Sequence, residues 1–494
     1  MMRMSTLKDL GLTLADVDLG AIDAEADHNL ANHFIETAYA KDILNGRHEH
    51  VLGRKGSGKS ALFSQLDRVV GPGVVVHAVT PDGVWGVLRQ HEDHDNPNRD
   101  SAFVTGWTFV FALLAAQAIV DADRPLPEDV RRSFSPAHQF LQKNFPAGTN
   151  AITAARRFVK KIRSINLEAF GFGAGLTWEE DQGEEVARLV IKQVMTAIEP
   201  AIRYLGLVVA IDQVDEGWDG TGDSKAMMIG LLRAAKDLND KYGFRKPGEN
   251  HLRVMVFLRS DIYEVLKFDE KDKHRPLEHP ITWDREGLAA MVNARLPKPV
   301  TVDDLIRGGM RGDANPFSYI VARTFLRPRE VLQFIGEAKK IAGPSADVIG
   351  GASVLAAEKQ YSSWKVEDLK QEYRMSDPTL ATLLECLRQG LHRYPSVADL
   401  EVTISEKAPE LLAPPETTAR TLVEKLFGYS IVGIRVGDSG RPRYKAEEPQ
   451  LTLPTSGAVY VHPSLHKGLL IKEAKSPKKS KTMSPVQGDE SNAE

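Results

Sequence analysis

The feature that most constrains this chain is a glycine-rich string at residues 53–60, GRKGSGKS, set between a short apolar run and an amphipathic one. It fits G-x-x-x-x-G-K-[ST], and its context carries more weight than the string itself. Residues 48–52 predict a strand entering the loop, and residues 61–70 predict a helix leaving it. Glycines let the backbone curl so that successive N–H groups point inward, and the helix N-terminus adds a partial positive charge. A loop of this kind holds phosphate. Gly53, Arg54, Lys55, Gly56, Ser57, Gly58, Lys59, Ser60 and Ala61 are therefore expected to cradle a nucleoside triphosphate. Lys59 is expected to reach the β- and γ-phosphates, and the Ser60 hydroxyl to ligate Mg²⁺. Arg54 and Lys55 add two cations, each read either as solvated or as ligating.

A phosphate loop needs a metal partner from another strand. The apolar run 205–211 ends at Asp212, where a carboxylate emerges at the carboxyl end of a buried strand and is expected to hold Mg²⁺. Asp215 and Glu216 follow. Hydrolysis needs a carboxylate that polarises water and is not consumed by the metal. Glu216 is assigned that role with Asp215 second; the alternative is that one or both cap the next helix. The run 252–258 ends in Arg259, placed to feel the γ-phosphate or to pair with a neighbouring acid. Arg329, just after Pro328 at a helix start, is placed to swing onto the phosphates or to lie on the surface.

Strand candidates at 74–79, 205–211 and 252–258 alternate with helical patterns, which implies a parallel sheet covered on both faces. The chain has 494 residues, beyond the ~250–300 at which one core stops growing, so two or three domains are expected. The fold class is α/β: a P-loop NTPase parallel sheet with helices on both faces, then a helical lid and a C-terminal winged-helix-like domain. The expected boundaries are a helical lead-in (1–45), the ATPase core (46–279) with an insertion at 90–183, the lid (280–345), the winged-helix-like domain (346–471) and a disordered tail (472–494). The insertion includes ARRFVKKIRS and an expected hairpin at FGFGAGLTW. Residues 103–120 carry no charge and approach the length of a membrane helix. Polar residues dilute the run, and it is read as a buried core helix rather than a span.

Taken together, residues 53–60, the IDQVDE string, FLRSD at 257–261 and RPRE at 327–330 resemble the STAND and origin-recognition-like branch of AAA+ ATPases. The D-x-x-D-E spacing is similar to NACHT-type members, and the combination looks like bacterial stand-alone P-loop ATPases. The resemblance implies ATP rather than GTP and a role in anti-phage defence, while the single cysteine fits a reducing compartment and a cytoplasmic location is expected. It also implies Asp212 as metal ligand, Glu216 as water-activating acid, and Arg259 and Arg329 as sensors. The chain departs from many STAND proteins in having no repeat period after residue 345, which suggests a homo-oligomer or a separately encoded effector.

Composition narrows the partners. A net charge of −4 gives no global pull toward nucleic acid, so such a surface must be local. Arg435, Arg441, Arg443 and Lys445 surround GDSG in an expected basic-tipped hairpin, open to nucleic-acid contact, protein contact or a purely structural role. The single cysteine, Cys386, excludes an internal disulfide framework. The first 25 residues lack a basic segment followed by an apolar run, so no secretory signal is expected. The leading function is an ATP-driven conformational switch. The alternative is an ATP-dependent, origin-recognition-like DNA-binding protein, with a small-molecule kinase and a binding-only switch as further readings.

Overall fold

Five short strands form the central sheet, and their sequences explain why it is buried on both faces. In the computed structural model, which describes residues 6–37, 40, 49–70, 73–80, 99–144, 183–216, 218–244, 249–310, 314–437 and 440–472, they are β1 (His50–Leu52), β2 (Val75–Val79), β3 (Leu207–Ile211), β4 (Leu252–Leu258) and β5 (Glu278–Pro280). They pair in parallel in the order β2-β3-β4-β1-β5. Side chains alternate across a strand. Leu207, Val209 and Ile211 enter one core with Val254, Val256 and Leu258, while Val208 and Ala210 enter the opposite core with Met255 and Phe257.

The second face is covered by α1 (Lys59–Phe63) and α2 (Leu66–Val70). The first is covered by α3 (Arg99–Asp121), α4 (Glu128–Asn144), α5 (Gly183–Leu205) and α6 (Gly222–Tyr242). A helix apolar on all sides belongs in a core or a membrane. α3 is long and apolar enough to cross a membrane, yet 67% of its apolar window is buried within the protein. Its Trp107 Nε1 donates to the Met227 carbonyl of α6 at 3.0 Å. Where the two helices cross, a Cβ built on Gly230 would stand 2.7 Å from Phe103 Cβ.

After α7 (Ser260–Val265) and β5 the chain turns helical: α8 (Arg285–Asn293), α9 (Val302–Leu305), α10 (Pro316–Val321), α11 (Pro328–Ala342) and α12 (Gly351–Glu372). Their core includes Leu288, Val292, Phe317, Phe334, Ile335 and Tyr361, with Phe334 stacked on Tyr361 at 4.5 Å between centroids. Leu7, Leu14, Val17 and Leu19 of the N-terminal segment complete it.

The chain divides into two compact units, Met1–Ala381 and Thr382–Glu494. The elements above belong to the first. The second follows the order α13 (Thr379–Cys386, which begins in the first unit), β6 (Arg393–Tyr394), α14 (Val397–Lys407), α15 (Ala419–Gly428), β7 (Val432–Ile434) and β8 (Val459–Val461). Its three strands form an antiparallel sheet in the order β6-β8-β7.

Several expectations differ from this picture. The N-terminal segment is not a continuous helix. Its described part is a run of single turns, Lys8–Leu10, Leu14–Asp16 and Ala24–Ala26, and a short helix Leu30–His33. β2 is only partly buried, because it lies at the edge of the described sheet. The unit boundary lies at 381/382 rather than 345/346, because α12 packs on α11. In the expected basic hairpin, β7 takes β8 as its sheet partner and, among the described residues, bridges the GDSG-distal arm at Ile434–Arg443. The polar run before residue 99, ARRFVKKIRS, the FGFGAGLTW hairpin and the tail after residue 472 lie outside the described residues.

Because Gly230 admits α3 so closely, Gly230→Val is expected to overpack this crossing and cost about 1–3 kcal/mol, read as a lower urea midpoint.

Candidate functional site

β1 ends at Leu52 and the chain turns at once into the glycine loop. Gly53 N donates to the Leu258 carbonyl at 3.2 Å and Ser260 N to the Gly53 carbonyl at 3.3 Å, so the loop springs from the carboxyl ends of β1 and β4 together. Gly56 and Gly58 have φ of 78° and 96°, a region that glycine enters without steric cost. A Cβ on Gly53 would sit 2.3 Å from Ser57 Oγ and 3.2 Å from Lys59 Cγ. Lys59 Nζ donates to the Gly53 carbonyl at 2.8 Å, folding its ammonium back over the loop. Burial pushes its pKa down, while Asp212 and Asp215 push it up.

The acidic loop stands beside it. Asp212 leaves the end of β3, its N–H held by the Val79 carbonyl at 3.2 Å, and is only 2% exposed. Burial raises the pKa of its carboxyl group, opposed by Lys59 and by a hydrogen bond with the Ser60 side chain. Its Oδ2 is buried with no hydrogen-bond partner. Gln213 then takes a φ of 59°, and Val214 is fully buried, which turns Asp215 and Glu216 outward. Asp215 is half-buried, 3.8 Å from Arg259 Nη1, and Glu216 is exposed. Neither caps the next helix. Thr221 does, accepting from Ser224 N at 3.3 Å, with Asp219 supporting both hydroxyls at 2.7 Å.

Both predicted arginines are near. Arg259 is ion-paired to Asp261, with contacts of 3.1 and 2.6 Å, and donates to the Glu372 carbonyl at 3.1 Å. Burial opposes its charge, but Asp261, Glu372 and Asp215 outweigh it and raise its pKa. Arg329 begins α11 against the loop: its N–H points to the Gly56 carbonyl at 3.4 Å, and its guanidinium is paired with Asp23.

One cavity of about 390 Å³ joins these groups. Lys55, Gly56, Gly58, Lys59, Ser60 and Ala61 line it from the loop, Asp212, Asp215 and Glu216 from the acidic turn, and Arg259 and Arg329 from the two arginine positions. Gly53, Arg54 and Ser57 do not line it; Gly53 and Ser57 are buried behind the loop.

Sequence reasoning missed one wall. Ala21, Ile22, Ala24, Glu25, Asp27 and Leu30 also line the cavity. Asp23 reaches Arg329, and Glu25 accepts from Gln213 Nε2 at 3.3 Å. Arg295 lines the cavity too and holds the segment through the Leu19 carbonyl at 3.0 Å. Trp283 Nε1 donates to the Ser57 carbonyl at 2.8 Å and braces the loop from outside the predicted motifs. These contacts join positions far apart in sequence, and no local pattern marks them.

In the second unit, Arg441 pairs with Glu447 at 2.6 Å and Arg443 with Glu448 at 2.7 Å. Arg435 lies over the Tyr460 ring, 5.1 Å from its centroid. Much of the local positive charge is therefore matched within the unit; Lys445 is half-buried beside them.

Two comparisons add to this geometry. Residues 285–370 match a family described as the FunZ-associated C-terminal helical domain, the stretch that holds α8 to α11 and all but the last two residues of α12. The chain is also 23% identical over 496 residues to an 80.3 kDa protein of Escherichia coli (strain K12) named for transposon gamma-delta, covering 93% of this chain and 68% of that protein.

The contact behind the loop gives a steric test. Gly53→Ala is expected to cost about 1–3 kcal/mol. In a Ser57→Ala background the cost should fall by about 0.5 kcal/mol or more, because the nearest atom is gone, and a double-mutant cycle by thermal denaturation measures that coupling.

Proposed function

We propose that this protein is a cytoplasmic P-loop ATPase that binds ATP, hydrolyses it and uses the cycle as a conformational switch. The observation that carries the reading is the pairing of Lys59 with Asp212 across one cavity, where a buried carboxylate oxygen lacks any donor. The loop's positive-φ glycines and the start of α1 offer backbone N–H groups and a helix N-terminus to phosphate oxygens. A hydroxyl and a carboxylate already in contact suit a hard cation, so Ser60 and Asp212 would hold Mg²⁺. When bound, that ion supplies charge neutralisation for the phosphates.

Lys59 would orient the β- and γ-phosphates. Glu216, exposed on the cavity wall, would polarise the attacking water, with Asp215 as the second candidate. Arg259 and Arg329 would take up charge on the γ-phosphate, Arg329 by exchanging Asp23 for phosphate oxygen. The start of α11 lies directly on the loop, so movement of the loop with nucleotide state would be felt by the whole helical subdomain. The choice of ATP, the STAND and origin-recognition-like affiliation, a role in anti-phage defence, and assembly as a homo-oligomer or with a separate effector rest on the sequence resemblance.

A second reading is ATP-dependent DNA binding. The helix-strand-helix-helix-strand-strand order of the second unit, with its three-stranded antiparallel sheet, supports a winged helix, and the E. coli relative is named for a transposon. Arg435, Arg441, Arg443 and Lys445 would then meet phosphates, after Arg441 and Arg443 exchange Glu447 and Glu448.

Glu216→Gln is expected to lower kcat for ATP hydrolysis by about 10²-fold or more while ATP still binds, and Asp215→Asn to lower it less. Unchanged turnover in both would remove the hydrolytic role from this loop. Arg441→Ala with Arg443→Ala should leave turnover within about twofold. Loss of co-elution with duplex DNA in that variant would favour the second reading.

A further inference from the structure

Four charged side chains are buried together just beyond the cavity. Arg327 and Glu330 come from the start of α11, and Lys365 and Glu372 from α12. Glu330 accepts from Lys365 Nζ at 2.5 Å and from Phe325 N at 2.6 Å, and Arg327 Nε lies 3.5 Å from it. Arg327 Nη1 donates both to Glu372 Oε2 at 3.0 Å and to the carbonyl of Lys55, in the glycine loop, at 3.1 Å. The Glu372 carbonyl accepts from Arg259 Nη2 at 3.1 Å. The loop and Arg259 are thus tied to each other through two residues that do not line the cavity.

We infer that Arg327 and Glu372 are a positioning pair for ATP hydrolysis: they set the register between the phosphate loop and Arg259 without touching nucleotide. The inference rests on the proposed ATPase reading. Its physical ground is the cost of the arrangement. Buried ion pairs are often no more stabilising than apolar residues of the same size, so stability alone is a weak reason for four buried charges beside this cavity. The planar guanidinium fixes the directions of the two N–H bonds on Nη1, so that one nitrogen holds a carboxylate and a carbonyl in one geometry, which an ammonium on a flexible stem does not. Burial pushes the Glu372 carboxyl up, but Arg327, then Lys365 and Arg259, outweigh it and hold it down at about 2, so the carboxylate stays charged as the anchor of the pair. The geometry that matters is small in scale, since a misplacement of about 1 Å near reacting groups can cost about 10²-fold in rate.

The test uses the full-length protein and two variants. Arg327→Lys keeps the charge and removes the planar group that fixes the direction of both hydrogen bonds. Arg327→Met with Glu372→Leu removes both partners and leaves Glu330 and Lys365 as a balanced pair. Turnover per bound-nucleotide site, ATP affinity and melting temperature are measured for each. Both variants are expected to bind ATP within about threefold of the parent and to hydrolyse it at least about tenfold more slowly. A merely structural role would lower the melting temperature and the fraction of competent sites, leaving turnover per competent site unchanged; that result in either folded variant overturns the inference. Should the double variant fail to fold, Arg327→Lys decides alone. A parent that hydrolyses no ATP overturns the inference together with the functional reading, whereas an active parent with equally active variants overturns the inference only.

Discussion

A lysine ammonium and a buried carboxylate held at one edge of a parallel sheet are the constraint on which the rest of this molecule turns. β1 and β3 are not neighbours; β4 lies between them, and the parallel pairing of all three brings residue 53 and residue 212 to the same side. Parallel strands place every carboxyl end at one edge, where ligands collect in open α/β sheets. At that edge Lys59 loses charge preference through burial and Asp212 does the same in the opposite sense, each partly restored by the other. A triphosphate with its metal would satisfy both groups, and on this the proposed nucleotide-binding function rests.

The surroundings of that edge act as a frame with two sides. One is the helical subdomain, whose α11 begins on the loop and whose α12 is bound to it by ion pairs. The other is the N-terminal segment, which runs from the helical core, through Leu14 and Val17, to the cavity wall at Glu25 and Asp27. Asp23 on Arg329 and Glu25 against Gln213 put carboxylates beside groups that anionic phosphate would also approach. Like charges do not share such ground, so under the proposed function nucleotide entry would be electrostatically linked to the position of this segment.

What could be read from the sequence was local. The glycine loop, the run ending in Asp212 and the run ending in Arg259 each carry their signal within a few consecutive residues, because a buried strand is a continuous apolar run and a phosphate loop needs glycines at fixed places. β5 escaped notice because Glu278–Pro280 has no apolar run and is ordered by pairing with β1. α12 escaped because Glu358, Lys365 and Glu372 interrupt the buried apolar positions Val354, Ala357, Tyr361 and Leu369, so its burial relies on ion pairing as well as on an apolar stripe. The N-terminal wall of the cavity and Trp283 escaped for a third reason: their contacts to the loop and the lid span tens to hundreds of residues, and nothing in the neighbouring sequence announces them.

The most direct test is calorimetric titration of the protein with ATP, with and without Mg²⁺. The account predicts that parent protein binds ATP more tightly with the ion present, that Asp212→Asn loses this dependence, and that Lys59→Ala loses most of the affinity in either condition. Binding by Lys59→Ala equal to that of the parent, or the same Mg²⁺ dependence in Asp212→Asn, would contradict it.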